Sequence, residues 1–71
     1  MKATELQVGD VFHHAKHSNY KYRVISLTDP WNSDYITVKS MYSPHTYRTS
    51  KRCIDIVLVS RLVSNYPKEV V

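Results

Sequence analysis

Residues 20–42, YKYRVISLTDPWNSDYITVKSMY, hold two runs of β-branched and aromatic side chains separated by a cluster of turn formers. Residues of the first kind favour a pleated, half-buried strand. In the cluster, Pro30 fixes φ at a turn position, and Asp29, Asn32, Ser33 and Asp34 can bond locally to backbone. A strand, a turn and a second strand in the middle of the chain commit it to antiparallel pairing, and the flanking segments carry the same kind of pattern.

Upstream, LQVGDVFHH alternates around a tight turn at Gly9 and Asp10 and leads into a first strand of Val11, Phe12 and His13. The polar stretch HAKHSNY reads as a loop before the second strand, residues 20–28. In that strand Tyr20, Tyr22 and Val24 share one face while Ile25 and Leu27 fall on the other, so a bulge or bend is expected near Val24 and Ile25. The third strand covers residues 35–42 and is broken at Ser43 and Pro44. The fourth is the polar segment 45–51. Residues 53–63, CIDIVLVSRLV, fit a strand by their valines and isoleucines, although Ile54, Val57, Leu58, Arg61 and Leu62 also match helical spacing.

Five short strands and short loops predict an all-β fold, a small five-stranded antiparallel barrel whose closure removes exposed edges. One domain is expected over residues 1–66, with Pro67 turning 67–71 into a short tail. Through LQVGDVF followed by YKYRVISL, the chain resembles the SH3-like small barrels of the KOW and Tudor-like group. The motif resemblance covers about the first 27 residues, and strand count carries the rest. The KOW pattern has another glycine in a later turn, whereas Gly9 is the only glycine here. The resemblance implies an SH3-like barrel and, as is common in that group, nucleic-acid binding.

At 71 residues the chain has room for a single core and buries only about 60% of its unfolded surface, so its stability is expected to be marginal. An apolar share of 42%, with six tyrosines, is too rich in core formers for a disordered chain at a net charge of +4. Cys53 is the only cysteine and has no partner for an intramolecular disulfide, which fits a reducing, cytoplasmic setting. No signal-peptide pattern and no apolar run of about 18 residues is present, so no membrane association is expected.

The charge is unevenly placed. Residues 1–35 balance Lys2, Lys16, Lys21 and Arg23 against Glu5, Asp10, Asp29 and Asp34. Residues 36–71 set Lys39, Arg48, Lys51, Arg52, Arg61 and Lys68 against only Asp55 and Glu69, so the whole excess lies there. That excess favours an anionic partner, either nucleic acid or an acidic protein surface, or it serves solubility alone.

Alternation places Lys21 and Arg23 outward if Tyr22 and Val24 point inward, and Tyr35, Thr37 and Lys39 outward if Ile36 and Val38 point inward. A hairpin of two or four loop residues around Ser43 and Pro44 would set Lys39 opposite Arg48, and like charges so placed repel unless an anion lies between them. A three-residue loop would set Arg48 against Ser40 instead. In the first register Lys21, Arg23, Tyr35, Lys39 and Arg48 share one face with Lys51 and Arg52 at its rim. Cations that track phosphates beside a tyrosine that stacks on a base are what single-strand binders use. The same residues also serve as an ordinary solvated face whose lysines guard against aggregation.

Trp31 either folds back to plug the barrel end or stays exposed as a partner anchor. His13, His14, His17 and His45 with Cys53 raise the question of a metal, but consecutive strand positions diverge and no spacing matches a metal motif, so no metal and no cofactor is expected. As surface residues the histidines would add positive charge in mild acid. Cys53 heads an apolar run and reads as a buried, inert thiol. The acids are scattered, and so small a chain hardly forms a large pocket, so no catalytic residues are expected and the chain reads as a non-enzyme. The expected role is a small nucleic-acid-binding module for RNA or single-stranded DNA. The alternative is a small regulatory protein, of the sort phages and mobile elements encode, that docks on a larger protein by strand addition or through Trp31.

Overall fold

A computed structural model describes residues 1–61 of the chain. A single 3-10 turn, Ala3–Glu5, precedes five strands: β1 (Val11–His14), β2 (Tyr22–Ser26), β3 (Tyr35–Ser40), β4 (Thr46–Ser50) and β5 (Ile56–Ser60). All pairings are antiparallel, in the order β4-β3-β2-β1-β5. The all-β antiparallel expectation holds. Among the described residues no ladder joins β4 to β5, so the sheet is open along that side. Thr49 is the one buried residue of β4, which gives that strand little apolar surface to draw it across to β5.

Alternation decides which side chains enter the core. Phe12, Val24, Ile36, Val38 and Ile56 are each at most 2% exposed and form one cluster with Ala3 and Leu6. The switch of apolar positions in β2 is resolved as expected: Val24 pairs with Val38 and Ser26 with Thr37, so Ile25 is the extra residue of a bulge and turns outward. Residues 56–60 are strand, as the valine-rich composition predicts. Leu62, Val63, the domain boundary at residue 66 and the tail 67–71 lie outside the described residues.

The N-terminal segment contributes more than its sequence announces. Ala3 N–H donates to the Cys53 carbonyl at 2.8 Å and the Ala3 side chain is fully buried, so the 3-10 turn and Leu6 cover the core. The following turn runs from Gln7 to Asp10, closed by the Asp10 N–H to the Gln7 carbonyl at 3.0 Å. Gly9, the third residue of that turn, has φ 95°, which side chains with a Cβ adopt only at a cost. Its N–H donates to the Val24 carbonyl at 2.9 Å, fastening the turn to β2.

Candidate functional site

The outward face of β2 and β3 carries the residues that alternation assigned to it. Arg23 stands directly opposite Lys39, and the ladder continues through the Met41 N–H to the Lys21 carbonyl at 2.9 Å, which brings Lys21 alongside. The Arg23 guanidinium donates through Nη1 to the Gly9 carbonyl at 3.2 Å, and Lys21 Nζ donates to the Ser18 carbonyl at 2.9 Å. Neither of these cations nor Lys39 forms an ion pair with a described acid. Beside them opens a cleft of about 600 Å³ lined by Arg23, Lys39, Ile25, Met41, Tyr42 and Pro44, with no acid in its wall.

The β3–β4 register differs from the one that sets Lys39 against Arg48. Lys39 pairs with Thr46, and Arg48 pairs with Thr37. The reason is the turn: Ser40 N–H donates to the His45 carbonyl, so residues 41–44 form the loop and the pairing shifts by one step along the same face. The opposed like charges are therefore Arg23 and Lys39, on β2 and β3.

Arg48 has a different occupation. Its Nε donates to Asp29 Oδ1 at 2.8 Å, and Asp29 is 4% exposed. The same carboxylate accepts the N–H groups of Trp31 (2.9 Å) and Asn32 (3.1 Å) and the Thr37 hydroxyl (3.1 Å). Burial by itself would raise the Asp29 pKa; the bonds from Arg48, the Trp31 amide and Thr37 outweigh it and hold the pKa below the ordinary value. Pro30 and this knot fix the turn, and Trp31 projects from it 82% exposed. The plug reading of Trp31 is thereby excluded, because the four donors to Asp29 set the turn's path and leave the indole outside the core.

A second buried acid captures a second arginine. Asp10, fully buried, accepts Arg61 Nε at 3.1 Å and Arg61 Nη2 at 3.0 Å in a bidentate pair, together with the Gln7 amide at 2.8 Å. The bond to Asp10 raises the Arg61 pKa against the opposing effect of burial. Two of the six cations of the second half are thus neutralised by acids of the first.

The remaining assigned residues separate. Tyr35 is half-buried at the far end of β3, about 13 Å from Lys39 at the strand's usual rise. Lys51 and Arg52 sit in the turn after β4 on that same far side, where Lys51 N–H donates to the Asp34 carbonyl. Tyr42, 64% exposed, lines the cleft beside the cations, although the sequence offered it only as the end of a strand. On the opposite face a row of aromatic rings runs from His14 and Phe12 through Tyr22 to Tyr47 and His45, with neighbouring centroids 5.7–6.5 Å apart. That row joins β1, β2 and β4, and no reading along the chain brings those positions together.

His13 and His14 diverge, as consecutive strand residues must. His14 points to the inner face and meets two residues from the approach to β5: its Nδ1 lies 3.6 Å from Cys53 Sγ and 3.5 Å from Asp55 Oδ1, while Cys53 Sγ donates to that carboxylate oxygen at 2.7 Å. Burial, then the bond to Asp55, raise the Cys53 pKa, and the bond from Cys53 is the main reason the Asp55 pKa is lowered. A nucleophilic relay needs one imidazole nitrogen on the thiol and the other on the acid. Here a single nitrogen, Nδ1, faces both.

Comparison of the chain with family models, with curated proteins and with solved structures finds no match.

Proposed function

We propose that this protein is a small, non-enzymatic, SH3-like module that binds RNA or single-stranded DNA through the cleft between β2 and the β3–β4 loop. The observation that carries the reading is the direct opposition of Arg23 and Lys39 beside Lys21, with no described acid paired to any of the three. Like charges facing each other across a ladder are unfavourable, and phosphates supply the missing counter-charge. Tyr42 and Met41 give the cleft an apolar wall on which an unpaired base can stack. The contacts are to backbone and ring face, so binding is expected to be weakly selective for sequence. The fold reading is supported by a fifth strand that returns to β1 after a four-strand meander. The lone cysteine supports a cytoplasmic setting as part of this reading; among the described residues no helix is long and apolar enough to cross a membrane.

The test is fluorescence anisotropy of labelled single-stranded RNA, single-stranded DNA and duplex DNA across a salt series. Three phosphate contacts on a single strand give a log–log salt slope of about −2. Lys39→Glu with Lys21→Glu should weaken binding by roughly tenfold or more and flatten that slope, with an unchanged circular dichroism spectrum. Wild-type protein that binds none of the three at low salt removes the reading, and variants that bind as well as wild type remove the cleft. Arg48 is unsuitable for this purpose, since its replacement disturbs buried Asp29.

A second reading is favoured by Trp31, 82% exposed on a turn that Asp29 holds rigid. A large aromatic presented at low entropic cost is what a protein interface uses as an anchor, and an acidic protein surface would be the partner. Trp31→Ala should then abolish capture of a protein partner while moving stability by less than about 0.5 kcal/mol; a large loss of Tm would assign Trp31 a structural task instead.

A further inference from the structure

His14 lies 39 residues before Cys53 and 41 before Asp55, yet the donor atoms of all three lie within 4.8 Å of one another. The fold brings them together by three independent fastenings. His14 ends β1 opposite Ile56, the Ala15 N–H donates to the Asp55 carbonyl at 2.9 Å, and the Ala3 N–H holds the Cys53 carbonyl at 2.8 Å. Backbone bonds of that kind hold the three Cα–Cβ bonds close together before any ligand arrives.

We propose that His14 Nδ1, Cys53 Sγ and Asp55 Oδ1 form a binding site for a divalent transition metal ion of the zinc type. An imidazole nitrogen, a thiol sulfur and a carboxylate oxygen make the mixed, borderline-soft donor set that zinc accepts and that magnesium or calcium does not. The spacing argues as strongly as the chemistry. Zinc bonds of about 2.0 to 2.1 Å to nitrogen or oxygen and about 2.3 Å to sulfur, at tetrahedral angles, put neighbouring ligand atoms about 3.3 to 3.6 Å apart. The two distances from His14 Nδ1, 3.6 Å to sulfur and 3.5 Å to oxygen, already have that length. Only the 2.7 Å contact between Cys53 Sγ and Asp55 Oδ1 must open, and it is a hydrogen bond whose proton the ion displaces. The thiol proton leaves to solvent as the sulfur–metal bond forms.

The side chains of His14 and Asp55 are 26% and 46% exposed, so an ion reaches the site from solvent and a water molecule can complete the tetrahedron. The same geometry also makes sense of a single nitrogen facing both partners, which serves no proton relay but is what convergence on one ion requires. The site spans β1 and the approach to β5, apart from the cleft beside β2 and β3, and stands or falls independently of it.

The full chain, reduced, is titrated with Co²⁺ and the absorption followed. One equivalent should produce a thiolate-to-cobalt charge-transfer band with four-coordinate ligand-field bands, and Zn²⁺ should displace both. Cys53 is the only cysteine in the chain, so that band has one possible source, and Cys53→Ser must abolish it. By competition, His14→Ala and Asp55→Asn should each weaken Zn²⁺ binding by about tenfold or more, while His17→Ala leaves it unchanged. Alkylation of wild-type Cys53 by iodoacetamide, slowed at least about tenfold by Zn²⁺, gives a readout that needs no variant to fold. Absence of the charge-transfer band, alkylation indifferent to Zn²⁺, or a loss with His17→Ala equal to that with His14→Ala would overturn the site.

Discussion

Asp29 and Asp10 are both buried; two backbone amides and Arg48 meet the charge of the first, one backbone amide and Arg61 that of the second. A buried carboxylate without such partners would be driven to its neutral form. For Asp29 the balance of bonds lowers the folded pKa beneath the ordinary 3.8. A carboxylate whose pKa is depressed by folding stabilises the fold above its unfolded value, and that contribution disappears as pH falls through the folded value. Asp29→Asn should therefore lower Tm by several degrees at neutral pH, and the gap from wild type should close as pH drops below 3.8. A gap that stays constant down to pH 2 would mean that the charge is immaterial. The turn-forming role of Asp29 was legible in DPWN, because an aspartate two residues before an amide is a local pattern. Its pairing with Arg48, 19 residues away, was not.

At the level of elements, the register of β3 against β4 shows where reading along a chain reaches its limit. Side-chain alternation put Lys39 and Arg48 on one face correctly, since faces depend only on parity. Which residues stand opposite depends on where the loop is centred: a four-residue loop at 41–44, rather than one centred on Ser43 and Pro44, moves each partner on β4 by two positions. The bulge at Ile25 was legible for the opposite reason, because it leaves a mark in the order of apolar residues themselves. The 3-10 turn at Ala3–Glu5 left no such mark, since three residues show no periodicity. The turn at Gly9 is testable as an element. A side chain at φ 95° costs about 1 kcal/mol, so Gly9→Ala should lower Tm by roughly 4–8 °C. An unchanged melting curve would show that the turn relaxes to another type.

Over the whole molecule, a small core makes each of its members count. Total stability for a chain of this size is on the order of 4 to 11 kcal/mol, and truncating a buried leucine removes about 2 to 5 kcal/mol of it. Leu6, 2% exposed, belongs to the segment that covers the core without being part of the sheet. Leu6→Ala should bring the midpoint of urea unfolding down by roughly a fifth or more; a shift within error would mean that residues 1–6 are a dispensable cover. The charge distribution is likewise a property of the whole. Along the chain the positive excess lies entirely after residue 35, but Arg48 and Arg61 turn back onto Asp29 and Asp10, and the cations left free of described acids beside the cleft include Lys21 and Arg23 of the first half. What the sequence determined by itself was whatever depends on neighbours along the chain: strand character, the bulge, the turn at Asp29 and the outward direction of Lys21, Arg23 and Lys39. Tertiary structure alone decided which arginines are spent on buried acids, that Trp31 stands in solvent, and that His14, Cys53 and Asp55 converge. The physical reason is that propensity and alternation act over a few residues, whereas an ion pair or a ligand cluster is made by groups that only the closing of the sheet's ladders brings within a few ångströms.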